Sequence, residues 1–270
     1  MSNPERLPTL FIPHGGGPCF FMDWNPPHAW DRMADWLRAV PQLIGQRPRA
    51  VLVISAHWEA PAFTVNTREQ HELLFDYYGF PEHTYRLQWP ATGDAALAGR
   101  VADLLAKAGL PVARETARGL DHGVFVPFKL IDPDASIPVV QLSLRAGLDS
   151  AEHIASGRAL APLRDEGVLI VGSGMSFHNM SRFRRDNTGQ DSDSVAFDRW
   201  LVDTVAQPRD VREAALAAWE SAPSARASHP QEEHLIPLHV VAGAGADDAG
   251  RQVLADRVLG SAQSAFAFGL

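Results

Sequence analysis

The sequence predicts an α/β protein: a single domain over residues 1–270, with a mostly parallel central sheet and helices on both faces. Two observations carry this. Short apolar, partly β-branched runs alternate with stretches of helical spacing along the whole chain, the pattern of strand–helix–strand units. There is no internal repeat and no break in composition at which to divide the chain, and 270 residues with 46% hydrophobic content suffice for one large core.

Thr9 to Ile12 reads as a short strand, followed by the turn-rich His14-Gly15-Gly16-Gly17-Pro18. Ala29 to Val40 has helical spacing. Ala50 to Ser55 is a continuous apolar run, as expected of a strand buried on both faces. Phe63 to Thr67 is a further strand. Residues 71–90, with Asp76-Tyr77-Tyr78-Gly79-Phe80-Pro81, read as a long functional loop. Asp94 to Ala108 is a helix stopped by Gly109. Pro111 to Glu115 is a strand, Val124 to Ile131 a helix ending before Pro133, and Pro138 to Leu144 a strand. Ser150 to Glu166 is a helix with Ser150 as its N-cap and Gly167 past its end. Val168 to Val171 is the next strand. Arg182 to Ser194 is a polar loop. Ser194 to Ala206 and Val211 to Glu220 are helices, with Ser221 to Gln231 a connector. A helix begins at His234 and runs to Val241, and Ser264 to Phe268 closes the sheet as an edge strand.

Lys and Arg number 24 against 32 Asp and Glu, a net charge of -8. That balance argues against a nucleic-acid or anionic-membrane partner but leaves room for a small substrate. Cys19 is the only cysteine, so no intramolecular disulfide can form, which suits the cytoplasm. The opening MSNPERLPTL lacks the apolar core of a signal peptide, and no apolar run reaches the roughly 18 residues of a membrane helix. The expectation is a soluble cytoplasmic protein.

Eleven histidines stand in the chain. His28, His71, His83, His153, His229 and His239 read as surface or supporting residues. His14, His57 and His178 each follow a predicted strand and are flanked by small residues, so three imidazoles should meet at the carboxyl end of one sheet, where open α/β folds bind ligands. The small residues of Ser55-Ala56-His57 and Gly172-Ser173-Gly174 would leave room for a metal or substrate near the backbone. Imidazole is a common ligand of Fe(II) and zinc. No local zinc signature is present, so a site must be assembled from distant segments, which points to catalysis rather than structure. His234 is a fourth candidate far downstream. Asp121-His122-Gly123 has two readings: a helix cap by Asp121 with His122 exposed, or His122 in the same pocket as a hydrogen-bond donor. Cys19 reads as a small core residue. Trp58, Tyr77, Tyr78 and Phe80 are candidates for an aromatic pocket, and Arg86, Arg182, Arg184 and Arg185 for a substrate carboxylate.

His14-Gly15-Gly16-Gly17 also matches the oxyanion segment of esterases, which would require a nucleophile elbow. The nearest, Gly174-Met175-Ser176-Phe177-His178, puts histidine where the last small residue belongs, and that reading leaves His57 and His234 without roles.

Seven segments in this order carry a resemblance: Pro13-His14-Gly15-Gly16-Gly17-Pro18, Ile54-Ser55-Ala56-His57-Trp58-Glu59, Asp76-Tyr77-Tyr78-Gly79-Phe80-Pro81, Gly119-Leu120-Asp121-His122-Gly123, Pro138-Val139-Val140-Gln141-Leu142-Ser143, Gly172-Ser173-Gly174 with His178-Asn179, and His234-Leu235-Ile236-Pro237-Leu238. Together they resemble the DOPA-dioxygenase type of class III extradiol ring-cleavage dioxygenases, relatives of protocatechuate 4,5-dioxygenase. The three glycines before Pro18 depart from that family's usual His-Gly-Ser-Pro. The resemblance implies an oxidoreductase that opens a catechol-type ring with dioxygen, and a non-haem metal, Fe(II) for activity with zinc often bound. It maps metal ligation onto His14, His57 and His234, with His178 as ligand or base and His122 as hydrogen-bond donor to the bound oxygen. Glu232 and Glu233 stand beside His234 as further possible ligands. A non-catalytic metal-binding relative is the remaining alternative.

Overall fold

The structure, a computed structural model, describes residues 6–184 and 189–270. Arg185 and the first five residues of the leading segment lie outside the described residues. The strands are β1 (Thr9–Pro13), β2 (Ala50–Ala60), β3 (Phe63–Asn66), β4 (Val112–Glu115), β5 (Val139–Arg145), β6 (Val168–Gly174), β7 (Gly250–Val258) and β8 (Ser261–Phe268). The helices are α1 (Asp31–Ile44), α2 (Ala95–Lys107), α3 (His122–Ile131), α4 (Ser150–Leu160), α5 (Ser192–Val205), α6 (Arg209–Ala217), α7 (Ala225–Ser228) and α8 (Ile236–Ala244). One eight-stranded sheet runs β4-β3-β5-β2-β6-β1-β8-β7. Its centre, β5-β2-β6-β1, is parallel, while β8 and β7 extend it antiparallel beyond β1.

Both faces of the central strands are apolar, so alternate residues feed different cores. On β2, Ala50, Leu52 and Ile54 join Leu97 of α2, Ile154 of α4, Phe197 of α5 and Leu238 of α8. Val51 and Val53 join Leu37 of α1 and Phe125 of α3 on the other face.

Several boundaries differ from the sequence reading. α1 passes Val40 and holds Pro41 in its last turn before Gly45, at φ +72°, closes it. Asp149, not Ser150, caps α4 by accepting from the Glu152 N–H at 2.7 Å. α4 stops at Leu160 and a 3-10 turn follows over Ala161–Arg164, because Pro162 has no N–H to continue the helical ladder. α8 starts at Ile236, so His234 lies just before it. β8 is not the edge strand: β7, whose charged Arg251, Asp256 and Arg257 hide its pattern, pairs outside it.

Four of the histidines read as surface or supporting residues are core residues. His153, His229 and His239 are fully buried, and each holds a backbone carbonyl. His71, also buried, bonds the Val139 carbonyl. His28 and His83 are exposed as expected.

Burial pulls the His239 pKa down to about 4 and that of His229 to about 3. Both are neutral in the folded protein at pH 7. The unfolded chain binds their protons near pH 6.5 and the folded one only near or below pH 4, so stability falls as pH drops through that window, by up to about 3 kcal/mol for His239 alone. Urea unfolding between pH 7 and pH 4 should show this loss, and His239→Gln should flatten the slope. An equal slope in the variant would contradict the assignment.

Candidate metal centre

β1, β6 and β2 end side by side, with Pro13 opposite Gly174 and Ser55 opposite Ser173. His14 follows β1 directly, and its N–H donates to the Gly174 carbonyl at 3.2 Å. His57 arrives differently from the expectation of a strand that ends at Ser55. β2 runs on through His57, but against β5 its register jumps from Ile54–Leu142 to Glu59–Leu144, so residues 55–58 bulge opposite Ser143 alone. Bulges of this kind re-aim side chains.

A buried carboxylate holds the bulge in place. Asp121 accepts from Ser55 Oγ at 2.7 Å, Gln141 Nε2 at 2.5 Å and Arg118 Nη2 at 3.2 Å. Ser55 Oγ accepts in turn from the His57 N–H, and Arg118 donates to the His57 carbonyl. Burial, with Asp76 nearby, pushes the Asp121 carboxyl pKa up. Of the two readings of Asp121-His122, the capping one fails: Asp121 makes no side-chain cap, and His122, the first residue of α3, is buried. Its N–H and its Nδ1 both bond Asp76 Oδ1, at 2.9 and 2.8 Å.

His234 comes in over β6. A Cβ on Gly174 would stand 2.1 Å from the His234 carbonyl, and one on Gly172 2.4 Å from the Pro237 carbonyl. These glycines therefore admit the backbone of the His234 segment, not a metal or substrate as expected from sequence. The Met175 N–H closes the contact on the His234 carbonyl at 3.1 Å. His178 stacks on His234 with ring centroids 3.4 Å apart.

The rings of His14, His57 and His234 form a nearly equilateral triangle, with centroid separations of 4.8, 4.9 and 5.1 Å. His14 Nε2 and His57 Nε2 are 3.2 Å apart. Two nitrogens each about 2.1 Å from one ion in tetrahedral or octahedral geometry stand about 3.0–3.4 Å apart, so this pair fits a shared metal. Ligand atoms of His14, His57 and His122 lie within 4.8 Å of one another, as do those of His178, Glu233 and His234. The other ring nitrogens have partners, the usual support for metal-binding imidazoles. His14 Nδ1 bonds the Gly15 carbonyl at 2.9 Å and His234 Nδ1 bonds Glu233 Oε1 at 2.8 Å. His57 Nδ1 lies 3.7 Å from Asp76 Oδ2, and His178 Nδ1 3.3 Å from Glu233 Oε1.

Burial, reinforced by neighbouring imidazoles, lowers the pKa of His14 and His234 well below 6.5 and that of His57 to about 3. These rings are neutral at pH 7, as metal ligands must be. Burial acts to raise the carboxyl pKa of Asp76 and Glu233, but hydrogen bonds from His122 and His178 outweigh it and both are lowered.

Other sequence candidates separate clearly. Cys19 is a buried core thiol whose pKa burial pushes up. Glu232 pairs with Arg226, whereas Glu233 meets the Nδ1 edges of two histidines. Tyr77 packs 5.8 Å from His122 and 5.5 Å from Phe80, which lies against Gly17. Trp58 is buried under Arg118, and Tyr78 projects into solvent at 91% exposure. Arg86 pairs with Glu82, Arg182 with Asp191 and Asp193, and the Arg184 N–H bonds the Leu259 carbonyl. The esterase reading fails on Ser176, which is buried and accepts from the Ser264 N–H at 2.7 Å. A cavity of about 500 Å³ under Ile44 and Phe128 opens at the other end of β2, β5 and β6 and touches none of these histidines. Sequence reasoning missed the work of Asp76, Asp121, Ser55, Gln141 and Arg118. All five sit in or beside quoted segments, yet no spacing joins them.

Residues 8–267 match the family model of the catalytic LigB subunit of aromatic ring-opening dioxygenase. The chain is 37% identical over 247 residues to the 4,5-DOPA dioxygenase extradiol of Beta vulgaris, a match covering 91% of this chain and 90% of that one. It is 32% identical to the 4,5-DOPA dioxygenase extradiol of Escherichia coli K12, over 88% of this chain and 85% of that one. The crystal structure of an uncharacterized protein from Escherichia coli K12 superposes with a TM-score of 0.81 at 28% identity, covering 98% of this chain and all of the other.

Asp121→Ala strands Ser55, Gln141 and Arg118, and should destabilise the protein by about 2–3 kcal/mol. Urea unfolding at pH 7 measures this. A loss below about 0.5 kcal/mol, the size of an ordinary surface effect, would contradict the role given to the network.

Proposed function

The chain belongs to the family of the catalytic LigB subunit of aromatic ring-opening dioxygenases, and from that premise we propose that residues 1–270 form a non-haem Fe(II)-dependent extradiol dioxygenase. Its substrates would be a catechol-type aromatic diol and dioxygen. The observation that carries the reading is the triangle of His14, His57 and His234, with two Nε2 atoms 3.2 Å apart. Three neutral imidazoles would hold an ion and leave its remaining positions to substrates. His14, His57 and His234 are the proposed ligands, and His178 stands at the edge of the set. His122 lies close to His14 and His57, but its ring forms a less regular triangle with them, at 5.3 and 3.9 Å, and its proposed role is hydrogen bonding to oxygen. Zinc would occupy the same nitrogens readily, by the ordinary affinity order.

When bound, the metal acidifies the diol and brings it together with dioxygen. The protein's own groups handle the protons. His178 is partly open to solvent and backed by Glu233, an arrangement that lets it accept a proton from the diol while the carboxylate stabilises the resulting imidazolium. His122, held from behind by Asp76, has its ring 5.3 Å from that of His14 and 3.9 Å from that of His57. Tyr77 and Phe80 shield this side of the site from water. The net charge of -8 fits a small-molecule substrate better than nucleic acid or an anionic membrane, and among the described residues no helix is long and apolar enough to cross one. A reducing cytoplasm, which would keep iron ferrous, is the proposed compartment.

Protein loaded with Fe(II) under argon and then mixed with aerated 3,4-dihydroxyphenylalanine or protocatechuate should consume oxygen and form a yellow ring-opened product. Absence of oxygen uptake across a panel of catechols would end the dioxygenase reading. His178→Ala should keep its metal and lose turnover by about 10²–10⁴-fold, the usual worth of a general base. Complete loss of metal in that variant would make His178 a ligand instead.

A further inference from the structure

Asp76 touches two histidines at once, and each contact is made by a different oxygen. Oδ1 accepts from the His122 N–H at 2.9 Å and from His122 Nδ1 at 2.8 Å. Oδ2 faces His57 Nδ1 at 3.7 Å, longer than a hydrogen bond but close enough for the carboxylate charge to act on that edge of the ring. A carboxylate can only accept, so His122 must turn an Nδ1–H toward it, and the same charge favours the Nδ1–H form of His57. We propose that Asp76 is a positioning residue that sets the tautomer of His57 and His122 together, so that one carboxylate frees the Nε2 lone pair of a metal-binding histidine and leaves Nε2 of His122 open to take up the proton it would then donate to oxygen.

The proposal rests on the metal-site reading above, but its geometry can be tested without metal. His14 needs no such help, because its Nδ1 is already committed to the Gly15 carbonyl. Among the described residues, the His57 ring has no comparable backbone partner. Its Nε2 lies 3.2 Å from the Nε2 of His14, so a proton left on His57 Nε2 would hydrogen-bond to His14 and close the gap where an ion must sit. Asp76 opposes that arrangement by offering His57 a better place for the proton. It lies in the loop between β3 and α2, 19 residues along the chain from His57 and 46 from His122, so a single loop aspartate ties the bulge of β2 to the start of α3.

Asp76→Asn separates this role from simple packing. The amide has the carboxylate's shape but only one acceptor atom, and its other atom is a donor. One of the two rings must then accept at Nδ1 and carry its proton on Nε2. The experiment uses metal-free protein with ¹⁵N-labelled histidine, and reads imidazole tautomers from long-range ¹H–¹⁵N spectra at pH 7.5. In the wild type, His57 and His122 should both appear as Nδ1–H tautomers. In Asp76→Asn one of them should switch to Nε2–H, and Zn(II) affinity measured by chelator competition should fall about 10–100-fold, the usual effect of losing such a partner. Unchanged tautomers with zinc affinity within twofold of wild type would overturn the proposal. Should the variant fail to fold, the wild-type spectrum still decides, because an Nε2–H tautomer at His57 or at His122 would overturn it. If the tautomers come out as expected yet the iron-loaded enzyme takes up no oxygen with any catechol, the dioxygenase reading fails and the positioning role stands.

Discussion

Five imidazole rings share one crevice, with neighbouring centroids 3.4 to 5.3 Å apart, and charge on adjacent rings would drive them apart. Two like charges 5 Å apart repel by about 3 kcal/mol at an effective dielectric near 20. Burial removes that danger by lowering the pKa of His14, His57 and His234. It creates a second problem, since a neutral imidazole has one donor and one acceptor nitrogen and the wrong tautomer would point N–H groups at one another. The partners behind the rings answer this: the Gly15 carbonyl behind His14, Asp76 behind His57 and His122, and Glu233 behind His234 and His178.

The fold supplies the convergence. Parallel register among β1, β6 and β2 brings His14 and the bulge of β2 to the same level. The bulge is needed because a regular strand would alternate its side chains between two apolar cores and carry His57 past the site. Asp121, with Ser55, Gln141 and Arg118 around it, fixes the irregular backbone where no sheet ladder can. Gly172 and Gly174 do the matching work on β6, letting the backbone before α8 lie close enough for His234 to join residues more than 170 positions earlier in the chain.

Much of this was legible in the chain itself. A strand followed by histidine and glycine placed His14, and continuous apolar runs located β2, β5 and β6, because a strand buried on both faces has a strong signature. The ordered segments resembled a family that residues 8–267 match. The errors have physical causes. His57 was read as lying past its strand because Ala56-His57-Trp58-Glu59 breaks the apolar run, although the backbone remains extended through it. Gly174 was read as space for a ligand, when the space belongs to a segment 60 residues away whose approach no local pattern announces. β7, an edge strand with charged residues, has little hydrophobic signal, which makes β8 look like the edge in the sequence. Asp76 looked like one more loop aspartate, since a hydrogen bond across 46 residues leaves no spacing to detect.

In the proposed site, imidazole nitrogens from His14, His57 and His234 would close on a single metal ion. X-ray absorption at the metal edge, on protein loaded anaerobically with one equivalent of Fe(II), tests it most directly. The proposed site should give a nitrogen shell at about 2.1 Å with the outer-shell scattering of imidazole rings, three of them at least. A first shell made of oxygen alone, or one without imidazole scattering, would contradict it.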